Sequence, residues 1–227
     1  AVLGTLSFAS APMAALALSE AGTGLQTSVA CFAAGTRLET PDGLVAVEDL
    51  AAGDVVTTRE GVGRVVWAGH RAVDCARHPR PEAVWPVRVA VHAFGPGMPA
   101  RDVYLSPDHA VYVDGVLIPV KRLVNGGAIA QVRRASVVYH HIELERHDIV
   151  LAEGLPAESY LDTGDRADFG GGTTVLLHPV FETAAAWIWE TGGCAPLVQS
   201  GPVLDRVRAR LGYRAISVAR EPVQNRM

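Results

Sequence analysis

From Arg37 to Tyr160 the chain is written in short apolar or alternating runs, each cut within a few residues by Gly, Pro, Asp or Asn. An amphipathic helix needs an apolar stripe sustained over about ten residues or more, and these runs are too short to supply one. Strands and turns are what such a pattern builds, so the fold class is all-β. RLETPDGLVAV, residues 37–47, reads as a hairpin about its Pro-Asp-Gly corner. GDVVTT, GRVVWAGHRAV, WPVRVAVHAF, DVYLS, AVYV, VLIPV, SVVYHHIEL and DIVLA follow as strands. VEDLAAGD and VKRLVNGG read as one-turn helical corners ending at Gly.

The texture changes after LDTGDRADFGGG, whose glycines at 170–172 mark a boundary. Beyond it come TTVLLHPVF, TAAAWIWETGG and then PVLDRVRARLG, where Val203, Val207 and Leu211 have helical spacing. The first thirty residues are uncharged before Glu20 and carry no basic side chain, so the positive start of a signal peptide is missing. Gly4, Thr5, Ser7, Ser10 and Pro12 dilute the apolar run, which favours the tail of an upstream region over a membrane helix.

With 227 residues, 49% of them hydrophobic, the chain can bury one sizeable core. A net charge of -4 and the absence of any Lys/Arg run argue against nucleic acid as a partner. Three cysteines, Cys31, Cys75 and Cys194, are too few for a disulfide scaffold. Cys75 and Cys194 can pair if the chain is exported; two buried free thiols is the preferred reading. Cys75 and His78, with His70 nearby, have a spacing that a metal can use, but no second close pair completes four ligands, so no metal site is assigned.

Two places carry reactive groups. Cys31 stands in SVACFAAGT, directly ahead of a Gly-Thr corner, and Ser106 and His109 stand three apart in LSPDHAVYV. Neither is specific alone, since a cysteine is more often a small hydrophobe than a nucleophile. Their order is more telling. Cys-x-x-x-Gly-Thr with a hairpin, then VEDLAAGD, LSPDHA and VYHHIELERHDIVLAEG, resembles the Hint domains shared by inteins and hedgehog autoprocessing regions, especially the bacterial Hint family that is neither. The resemblance covers residues 31–165, leaving 1–30 as an upstream segment and 166–227 as a small mixed extension.

That resemblance implies a closed, twisted horseshoe of short strands and a single-turnover, self-cleaving domain with no cofactor. It makes Ala30–Cys31 the cleavage site, Cys31 the nucleophile that attacks the Ala30 carbonyl, and His109 the proton donor to the departing nitrogen. Ser106 takes the place of the family's usual Thr and binds the scissile peptide or orients His109. His141 stands where inteins have Asp and is read either as a base facing Cys31 or as a surface strand histidine; His140 points the other way and His147 is the weaker candidate. Asp108 holds the imidazole of His109 or caps the turn. Trp67, Trp85, Trp187 and Trp189 read as packing, and His92 and His178 have no evident partner.

The pattern also departs from the family. Splicing needs a terminal Asn, usually after His, and the chain has only Asn125 and Asn225. Hedgehogs activate sterol with an Asp where Gly69 and His70 stand here, so water or an external amine or thiol is the expected acceptor, and the chain's own upstream segment is the substrate. The alternatives are a cysteine hydrolase acting in trans and an inactive β-rich interaction domain.

Overall fold

The structure, a computed structural model, describes residues 30–162 and 192–218. The upstream segment, the glycine boundary, His178, Trp187 and Trp189 lie outside them. The strands are β1 (Phe32–Ala33), β2 (Arg37–Thr40), β3 (Gly43–Ala46), β4 (Val55–Thr58), β5 (Gly61–Asp74), β6 (Val87–Val89), β7 (Val103–Leu105), β8 (Ala110–Val113), β9 (Val116–Pro119), β10 (Ile129–Gln131), β11 (Ser136–Leu144), β12 (Ile149–Ala152) and β13 (Leu155–Glu158). Among the described residues of the C-terminal segment, α1 (Pro202–Val218) is a helix. The two helical corners are single 3-10 turns at Val47–Asp49 and Val120–Leu123.

All named strand pairs are antiparallel, in the order β10-β6-β7-β1-β11-β5-β4-β12-β13-β8-β9, with β2 and β3 attached beside β12. The path is open, ending at β10 and β9, where the sequence reading expected closure. Its spine is the β5–β11 ribbon, in register from Ser136 opposite Asp74 to Ile142 opposite Ala68, with an irregularity between Glu143 and Leu144. That shift gives the ribbon room to bend as it passes from one half of the sheet to the other.

The short strand β1 was not anticipated, since two residues carry no periodic signal. It is wedged between two partners: Phe32 lies opposite His140 of β11 on one side and opposite Leu105 of β7 on the other. Phe32 itself is 1% exposed and belongs to the main core with Leu38, Val65, Leu105, Ile118 and Ile142. Burying a side chain of this kind contributes about 1.5–3 kcal/mol. The core therefore anchors the residue next to Cys31.

The β12–β13 hairpin turns through Glu153 (φ 51) and Gly154 (φ 79), two successive left-handed positions. Two-residue hairpins need this backbone hand, and Glu153 is held in it by its carboxylate. That group accepts Arg37 Nε at 2.9 Å and Nη2 at 2.8 Å and Arg101 Nε at 2.7 Å.

The C-terminal segment joins the same core. Leu117 N donates to Pro196 O and Val198 N to Leu117 O, extending the sheet beyond β9 with a parallel bridge. In α1 the buried residues are Leu204, Val207 and Leu211, and all three belong to the main core. Val203, expected on that face, lies at its margin, because the stripe begins one residue later.

Candidate functional site

The register of β1 assembles the site. In an antiparallel pair, the residue before Phe32 meets the residue after His140, and on the other side the residue after Leu105. Cys31 is thereby flanked by His141 and Ser106, although they lie 110 and 75 residues away. Cys31 Sγ is 3.1 Å from His141 Nε2. Cys31 N donates to Ser106 Oγ at 2.9 Å, and Ser106 N donates to Cys31 O at 2.9 Å. The N–H and the C=O of Cys31 are thus both held by one serine.

His141 is 1% exposed, ringed by Tyr160 at 5.3 Å and Trp67 at 6.3 Å between ring centroids. Burial, followed by repulsion from His109, pushes its basicity down to about 3, against a weaker opposing pull from the Ala30 backbone. It is therefore a neutral imidazole near pH 7, touching the thiol and the Ala30 peptide together. His140, by strand alternation, turns to the opposite face and stacks on His70 at 5.6 Å, its cross-strand partner.

His109 ends the turn that begins at Ser106, its N donating to Ser106 O at 3.1 Å. The ring is fully buried and packs edge-on against Phe32 at 4.3 Å. Among the described residues neither ring nitrogen completes a well-formed hydrogen bond. Burial lowers its basicity; the Glu158 carboxylate and the Cys31 and Glu158 backbones act against that fall.

Other sequence candidates fall elsewhere. Asp108 pairs with Lys121 rather than with His109. His92 accepts Gly97 N at 2.8 Å and shapes a turn. Cys75 is buried and free, as expected, but Cys194 is exposed and free, because its segment lies on the surface of the sheet. His147 is turned toward Glu158, its Nε2 3.7 Å from Oε2, and Cys194 N donates to its Nδ1 at 3.0 Å. Glu158 and Tyr160 were not singled out, and Trp67 was read only as packing. For Glu158 a signal existed: a lone acid ending the apolar run LPAE.

An open antiparallel sheet that sets a cysteine between a serine hydroxyl and a buried imidazole, with a second buried histidine on the same turn as the serine, is the frame of an autoprocessing type of domain. The Hint domain family model matches residues 30–164, more than half of the chain, and the protein belongs to the Hint domain family. Solved structures of similar fold include a bacterial intein-like domain from Clostridium thermocellum, at 18% identity, 57% of this chain, 98% of that one and a TM-score of 0.42. The MchDnaB-1 intein is similar at 18% identity, 56% and 98% coverage and a TM-score of 0.41. The gp41-1 intein follows at 10% identity, 56% and 97% coverage and a TM-score of 0.40. No curated protein matches the chain. The family assignment rests on the family model.

Proposed function

We propose that the chain cleaves itself at Ala30–Cys31 through an N–S acyl shift. The observation that carries this reading is the pair of contacts on one residue, Sγ to His141 at 3.1 Å and N–H to Ser106 Oγ at 2.9 Å. Sγ attacks the Ala30 carbonyl carbon; the S–C bond forms, the C–N bond breaks, and the Cys31 nitrogen leaves as an amine. The thiol proton passes to His141. The nitrogen takes its second proton from protonated His109, which becomes neutral, while Ser106 Oγ holds the N–H it already carries. Water, or an external amine or thiol, then attacks the thioester, releasing a segment that ends at Ala30 and restoring the thiol.

Magnitudes constrain the first step. With His141 held down at about 3 by burial and by repulsion from His109, moving the thiol proton onto it ahead of attack is uphill. The proton moves more readily as the S–C bond forms. The strongly acidic imidazolium that results is well suited to hand its proton on.

The test is mass spectrometry of purified protein with and without hydroxylamine, which cuts thioesters and spares amides. A fragment ending at Ala30 that grows with hydroxylamine, and vanishes in Cys31→Ala, is expected. The same fragment persisting in Cys31→Ala removes the thiol from the reaction.

A further inference from the structure

Glu158 is a carboxylate 2% exposed, and among the described residues its only ion-pair partner is His147. A charge so placed is maintained only where protons or dipoles compensate it. One oxygen, Oε1, accepts Ala110 N at 2.6 Å, which fixes the carboxylate beside the residue that follows His109. The other, Oε2, faces His147 Nε2 at 3.7 Å. One oxygen of the carboxylate is thus fixed next in sequence to the buried His109, and the other faces the His147 ring under the C-terminal segment.

We propose that Glu158 is the counter-ion that lets buried His109 carry the proton it delivers to the departing nitrogen, and that His147, docked under Cys194, competes for the same charge. The inference rests on the acyl-shift reading and assigns positioning roles to two residues outside it. His109 alone is poorly placed to become a cation: it is fully buried, with Phe32 on its ring. A single negative charge nearby changes that balance, and a second proton donor turned toward the same carboxylate, His147 Nε2, opposes it.

The groups acting on this centre can be named. From the turn before β8 come His109 and Asp108, the latter neutralised by Lys121. From the turn before β12 comes His147, from the C-terminal segment Cys194, and from β11 His141, which His109 repels. Burial lowers the basicity of His109, Glu158 raises it and His147 lowers it again. Burial opposes a His147 cation, and so does the Cys194 N–H donated to Nδ1, which only a neutral ring accepts; the Cys194 side chain and Glu158 pull its basicity up. Because Cys194 N–H occupies Nδ1, the ring's neutral form keeps its proton on Nε2, facing Glu158. The C-terminal segment is thereby tied to the proton content of the site.

Two variants test the proposal in opposite directions. Glu158→Gln keeps an acceptor for Ala110 N–H and removes the charge; His147→Gln removes the competitor. In Cys31→Ala protein, which leaves the 30–31 peptide intact, the His109 ring signals are titrated by NMR. Glu158→Gln is expected to lower the His109 midpoint by about one pH unit, and His147→Gln to raise it measurably. In protein with Cys31 present, the same variants move the high-pH limb of the cleavage profile in the same two directions, with about a tenfold loss of rate near pH 7 for Glu158→Gln. If Glu158→Gln does not fold, the His147→Gln shift alone decides. Midpoints unchanged in the variants that fold overturn the proposal. Shifted midpoints in a protein that never cleaves uphold the charge coupling and sink the acyl-shift reading instead.

Discussion

The buried neutral state of His141 has a thermodynamic consequence that can be measured apart from any cleavage. Its folded-state basicity is pushed down from 6.5 to about 3 by burial, so between those values the unfolded chain binds a proton that the folded chain refuses. A depressed histidine therefore stabilises the fold fully at neutral pH, and that contribution is lost as pH falls below about 6.5. Between about pH 7.5 and about pH 4.5 the loss amounts to roughly 3 kcal/mol. With a urea slope of about 2 kcal/mol/M the midpoint drops by about 1.5 M. Cys31→Ala serves as the parent, since it cannot cleave and the thiol is not a cause of the depression. His141→Gln on that background removes the titrating group but not its neighbours. The difference between the two proteins in their loss of stability isolates His141 from every other acid-sensitive group. The double variant should be the flatter by about 3 kcal/mol. Equal acid sensitivity in both, within about 0.5 kcal/mol, refutes a buried neutral imidazole and with it the proton path assigned to His141.

Ser106→Ala removes the acceptor of the Cys31 N–H, and the release of the Ala30 fragment should slow by about 5- to 30-fold while the fold holds, as read by a cleavage time course beside circular dichroism. Val207→Ala should cost about 2–3 kcal/mol in urea denaturation, because its side chain is 0% exposed in the core that α1 shares with the sheet; a loss below about 0.5 kcal/mol would mean the helix is not docked there. Gly154→Ala places a methyl 3.2 Å from Gly97 O at φ 79, and a loss of about 1–2 kcal/mol is expected by the same assay.

What the sequence disclosed follows from how far each signal reaches along the chain. Hairpins such as that of β2 and β3, and the 3-10 corners, rest on turn residues a few positions away, so they were legible. Cys31, Ser106 and His109 were legible as reactive types in a familiar order, and alternation along β11 put His141 and His140 on opposite faces. The two-residue strand β1 was not, because its pairing with β11 and β7 is a tertiary fact that no local window contains. β13 was hidden by Pro156, a residue that usually argues against a strand, and which sits opposite Leu151 in the hairpin. The role of Asp108 was open between two neighbours in sequence; Lys121, which captures it, is thirteen residues on.

Three buried histidines surround this site, and their surroundings, not their chemistry, separate them. His141 lies among Tyr160, Trp67 and the thiol, and burial, followed by repulsion from His109, holds its basicity down. His147 lies against Glu158 and Cys194 and gains basicity despite burial. His109 stands between these cases, buried like the first and influenced by the carboxylate of the second. A proton moving from thiol to departing nitrogen must be accepted by a group that holds it weakly and supplied by one that can hold it until needed. On the acyl-shift proposal, the carboxylate of Glu158 serves His109 in this way, while the burial of His141 keeps it ready to take the thiol proton.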